Sequence, residues 1–90
     1  MDISEMKIEY PSSLTEQEKR HIFYCFRSDH EKEVQEWISI EKGRPATGDD
    51  PLKEISTSFS HFIRSLNEQA STIAISSLFM DMRAIIHSDF

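Results

Sequence analysis

Most of the residue types that concentrate chemistry are scarce in this chain. Its 90 residues include two glycines, three prolines and one cysteine. Two glycines are too few for the usual phosphate-cradling loops, and no Gly-x-Ser-x-Gly nucleophile elbow occurs. The single cysteine, Cys25, excludes an internal disulfide and suits a reducing compartment, so a cytoplasmic location is expected. No apolar run is long enough to span a bilayer, and no signal-peptide pattern opens the chain. Basic residues are outnumbered: 10 Lys and Arg stand against 16 Asp and Glu, a net charge of −6. A nucleic-acid binder needs a basic stripe to release counterions, and none is present. Neither nucleic acid nor membrane is therefore an expected partner.

Charge is also unevenly placed. Residues 1–50 hold 7 Lys/Arg and 12 Asp/Glu, a net of −5, whereas residues 51–90 hold 3 and 4, a net of −1. The front half reads as the solvated part and the back half as core or interface. A single domain of this size buries only somewhat more than roughly 60% of its unfolded surface, so its core is marginal.

Helical signals dominate the pattern. Residues 1–11 form an arm in which Met6, Ile8 and Tyr10 alternate with Lys7 and Glu9, a weak strand signature. Such an arm frays, docks on helices or docks on a second subunit. Thr15-Glu16-Gln17-Glu18 fits a capping box, opening a helix over 15–27 with Ile22, Cys25 and Phe26 on one face. The run Ile22-Phe23-Tyr24-Cys25-Phe26 also suits a buried strand pairing with the arm, and the cap decides for helix. Ser28-Asp29-His30-Glu31 is a second capping box, predicting a helix over 29–42 with Val34, Trp37 and Ile38 inward and Gly43 as its stop. The prolines and aspartates of residues 44–51 mark a loop, with Asp50 as N-cap and Pro51 as first helical residue.

From Pro51 to Phe90 there is no further glycine or proline. One straight helix over that stretch would reach roughly 55–60 Å, far beyond the ~12 Å radius of gyration of a compact chain this size. The apolar stripe also turns. Leu52, Ile55, Phe59, Phe62, Ile63 and Leu66 share one face, and Ala74, Ile75, Leu78, Phe79, Met82, Ile85 and Ile86 share another, rotated by roughly 100°. Either the helix breaks within 67–71, or it runs on and a second chain covers the surplus face. The expected fold is all-α: a small three- or four-helix bundle with a long or kinked C-terminal helix that self-associates. The helices fall at 15–27, 29–42, 51–67 and 71–87, and a homodimer forms through the seven residues from Ala74 to Ile86. Leu14, Ile22, Phe26, Val34, Trp37, Ile38, Leu52, Ile55, Phe59, Phe62 and Leu66 are the predicted core.

No catalytic or cofactor signature stands out, and no cofactor is expected. His21 and Cys25, four apart on a helix, are adjacent and could ligate a metal, but two ligands do not make a site. Asp29, Glu33 and Glu36 form a row continued by Ile40. They read either as a solvated helix face or as a docking surface that steers a basic protein partner onto an apolar anchor. Tyr24 between Arg20 and Arg27 has hot-spot composition, or is a tyrosine stacked by its own helix's arginines. These residues favour a non-enzymatic protein–protein interaction module that inhibits or escorts another protein. Inhibitors, immunity or antitoxin-like proteins, anti-defence proteins and chaperones share that description. The rival expectation is a small-ligand or metal binder with His21 and Cys25 at the edge of an apolar space.

Overall fold

A computed structural model describes residues 2–43 and 51–90. The loop expected at 44–51 lies, apart from Pro51, outside the described residues, as does its Asp50 cap. A short 3₁₀ turn, η1 (Ile3–Glu5), precedes four α-helices: α1 (Glu16–Asp29), α2 (Glu31–Glu41), α3 (Pro51–Leu66) and α4 (Thr72–Asp89). There is no strand among the described residues. The principal extents are 36 × 24 × 23 Å, so the helices fold back on one another rather than extending in line.

Each boundary has a local cause. The Thr15 hydroxyl accepts the Glu18 N–H at 3.1 Å, and the Glu18 carboxylate accepts the Thr15 N–H at 2.8 Å. That reciprocal cap stabilises the start of α1 by roughly 1 kcal/mol. The second predicted capping box does not form. Ser28 lies inside α1, which runs to Asp29, and the chain turns at His30 (φ −137°, ψ 51°), which makes no side-chain cap. Packing sets this turn instead: the His30 ring lies 4.7 Å from Phe26 and edge-on to Phe62 at 6.3 Å. At the far end of α2, Gly43 takes φ +83°, the left-handed conformation of a helix stop, and its N–H bonds to the Ile40 carbonyl at 3.0 Å.

The C-terminal stretch breaks within 67–71. Asn67 continues the ladder with its N–H on the Ile63 carbonyl at 2.7 Å, while its side-chain oxygen takes the Gln69 N–H at 3.2 Å. That local bond competes with helix continuation. Ser71 then caps α4 by accepting the Ala74 N–H at 3.1 Å. The break turns both apolar stripes toward one core. The seven residues expected to form a dimer face, Ala74, Ile75, Leu78, Phe79, Met82, Ile85 and Ile86, are all buried inside the chain. The apolar surplus that motivated self-association is therefore internal.

The arm is docked on the helices. Met6 and Ile8 are buried, Tyr10 is exposed, and the Asn67 amide donates to the Ile3 carbonyl at 3.3 Å and the Met6 carbonyl at 2.8 Å. Asn67 is itself buried, and its hydrogen bonds tie the arm to the α3–α4 joint. Of the predicted core, Leu66 is the exception at 40% exposure, and Leu14 and Leu52 are partly buried.

Every pair of α-helices packs closely except α1 with α3. The α2–α4 contact is sealed by Trp37 stacked on Phe79, ring centroids 4.5 Å apart and 8° from parallel. Phe26 bridges toward α3, meeting Phe59 at 5.2 Å and Phe62 at 5.3 Å. Above those rings the α1–α3 space stays open.

Candidate functional site

The opening between α1 and α3 is a groove of about 480 Å³. Its α1 wall is one helix face: His21, Cys25, Ser28 and Asp29 recur at i, i+4, i+7 and i+8. Phe62 and Leu66, one turn apart, form the α3 wall, and Asp2 and Ile3 of the arm close one side. The apolar part is thus Ile3, Phe62 and Leu66, and the polar part is His21, Cys25, Ser28, Asp2 and Asp29.

Several of these side chains are short of partners. The Asp2 carboxylate accepts the Ser4 N–H at 3.1 Å, and hydrogen bonding from Ser4 holds it below the usual carboxylate range. Asp29 has no hydrogen-bond or ion-pair partner among the described residues. Among the described residues no lysine or arginine lines the groove. Cys25 Sγ lies 3.6 Å from His21 Nε2, a weak thiol–imidazole contact along one helix face. The two gather no third metal-ligating side chain among the described residues.

The acidic row predicted on α2 is dismantled by the turn at His30. Asp29 belongs to α1 and faces the groove, while Glu36 sits exposed on α2. Glu33 is half-buried, and its carboxylate lies 3.4 Å from His30 Nδ1. Since the His30 ring meets Phe62, Glu33 lies one contact away from the groove wall. Ile40 is partly buried against the core, so it does not stand out as an exposed anchor. Thus one member of the row lines the groove, one borders it, and two do not.

The Tyr24 patch is reorganised as well. Arg20 reaches across to the last turn of α4, with Nε 2.9 Å from Asp89, and along its own helix, with Nη1 3.2 Å from Glu16. The Asp89 contact raises the Arg20 pKa and lowers that of Asp89. Arg27 lies over the ring of Phe90 at 5.2 Å, and Phe90 packs on Phe23. Tyr24 stays 47% exposed, edge-on to Phe23. Arg20 and Arg27 therefore fasten the C-terminus to α1, leaving Tyr24 as the free member.

Comparison with protein-family models, curated proteins and solved structures finds no match to this chain. Function is argued from its own residues.

Sequence reasoning found His21, Cys25 and Asp29 but missed Asp2, Ile3, Ser28, Phe62 and Leu66 as their neighbours. It also missed the Glu41 cluster. Glu41 stands at the end of α2 with its side chain 4% exposed, 2.6 Å from Arg83 Nε and 2.7 Å from His87 Nε2 of α4. Burial opposes its charge, but the hydrogen bonds from Arg83 and His87 outweigh burial and hold its pKa low. A signal was present: Arg83 is the only Lys or Arg after Arg64, with His87 four residues on.

Proposed function

We propose that this protein is a non-enzymatic interaction module that binds another protein, to inhibit or escort it, through the α1–α3 groove. The supporting observation is the meeting there of an exposed apolar side chain, Leu66 beside the buried Phe62, with a carboxylate, Asp29, that nothing in the described chain neutralises. Interior apolar surface normally closes on itself, and unpaired charges normally stay away from it. An enzyme reading has less support. No third side chain among those described orients His21 toward Cys25, as a nucleophile–base pair requires. Self-association forms no part of the proposal, because the residues that motivated it are internal to one chain.

A second reading has its own observation. The groove volume of about 480 Å³ lies within the ~300–1,000 Å³ typical of small-molecule sites. His21 and Cys25 stand together on its wall, so a small apolar ligand is the alternative occupant.

Capture by tagged protein decides between contact at the groove and contact elsewhere. Leu66→Arg places charge on the apolar wall, and Ser76→Arg places it on the exposed face of α4 as a control. A protein held by wild type should be lost by about tenfold or more in Leu66→Arg and retained by Ser76→Arg. Equal retention by both variants contradicts the proposal.

A further inference from the structure

Resting on the interaction reading above, we infer that the occupant of the α1–α3 groove is a basic amphipathic helix of the partner. It would seat an apolar stripe on Phe62 and Leu66 and place Lys or Arg beside Asp29 and Asp2. Geometry supplies the first part. His21, Cys25 and Asp29 extend over two helical turns of α1, a wall of ~12 Å, which matches two turns of a docked helix. Both long walls are helices, whose side-chain ridges and grooves accept the ridges of a third. A strand-adding peptide would need a free sheet edge, and the described residues contain no strand.

Charge supplies the second part. Among the described residues the groove is lined by two carboxylates and by no lysine or arginine, and Glu33 lies just beyond Phe62 through His30. Elsewhere several acids are matched, Asp89 and Glu16 with Arg20, Asp81 with Lys19, and Glu41 with Arg83, while Glu31, Glu36 and Glu54 are exposed but line no part of this groove. An acidic or neutral helix would leave Asp29 desolvated against apolar surface with no compensation. A basic one removes that cost and gains steering from the −6 net charge.

The test uses the full chain and three fluorescent synthetic helices with one leucine stripe and lysine, serine or glutamate on the flanking positions. Affinity is read by anisotropy, and the contact face by amide chemical shifts. The lysine peptide should bind most tightly, with shifts at Cys25, Asp29, Phe62 and Leu66. Asp29→Lys should weaken it by about fivefold or more, with Asp29→Asn intermediate and both variants showing wild-type circular dichroism. Glu54→Lys changes net charge equally but lies twelve residues from Leu66 along α3, about 18 Å away, and should change binding by less than about twofold. Equal weakening by Asp29→Lys and Glu54→Lys would mean attraction to net charge alone and would overturn the inference. Equal binding of the serine peptide would leave a plain apolar cleft, and concentration-dependent shifts at these residues without any peptide would point to a second copy; either result overturns it. Loss of a captured partner in Leu66→Arg with indifference to Asp29→Lys would defeat this inference while leaving the interaction reading standing.

Discussion

The α2–α4 contact and the α1–α3 gap lie in the same bundle but are finished in opposite ways. Between α2 and α4, Trp37 stacks on Phe79, and the buried Glu41 carboxylate is held by Arg83 and His87. Ring faces meet, and charge is matched. Between α1 and α3 the aromatic contact stops at Phe26 with Phe59 and Phe62, and above it Leu66 and Asp29 face solvent without partners. The difference separates residues that stabilise the fold from residues free to bind. The seams of α4 with α1 and α2 carry inter-helix ion pairs, whereas the α1–α3 opening carries none among the described residues.

Trp37→Ala should have the largest effect on this contrast. The indole is fully buried and its N–H finds no acceptor among the described residues, so its contribution is packing. Truncation should cost about 3–5 kcal/mol, read as a lower urea midpoint, and should leave a marginal protein. A loss under about 1 kcal/mol would mean the α2–α4 contact is not the structural spine.

Glu41→Gln should follow, at about 1–3 kcal/mol, because a buried carboxylate that takes the Arg83 guanidinium and the His87 ring becomes a neutral amide. The sign with pH follows from the lowered pKa. The folded value lies below the ordinary 4.5, so stabilisation from the ionised group is complete above that value and is lost as pH falls through the folded value. The stability gap between wild type and Glu41→Gln should therefore be widest near neutral pH and narrow in acid. A gap that widens on acidification would contradict the clamp. At the other end of the scale, the groove variant Leu66→Arg should change stability by no more than about 0.5 kcal/mol, since Leu66 is largely outside the core.

Much of this contrast was legible in the chain, but only within single elements. Thr15 with Glu18, Gly43, Pro51 and the two apolar stripes locate the helix limits to within two residues, because capping and amphipathic period act over one or two turns. The change of stripe direction likewise implied the break that Asn67 and Ser71 make. What escaped was set between elements. Ser28 looked like a cap, yet packing of His30 against Phe26 and Phe62 moved the turn and sent Asp29 to a different face from Glu36. Leu66 fitted its stripe by period, but the groove opens where α3 ends. The α4 face looked like surplus because its cover comes from three helices, α1, α2 and α3, that pack on it together. Glu41 resembled any other surface acid until α4 brought Arg83 and His87 to it.

Cys25 offers the most direct measurement of the central claim, that the α1–α3 space is an open docking groove. As the only cysteine of the chain, it makes any thiol label a reporter of that wall alone. Its rate of alkylation by a small maleimide is to be followed in native buffer, at low urea, and with the lysine-bearing helix present. The account predicts a native rate that stays flat across sub-denaturing urea and falls when the basic helix is bound. A rate that climbs with urea in step with global unfolding, or that ignores the basic helix at saturating concentration, would contradict it.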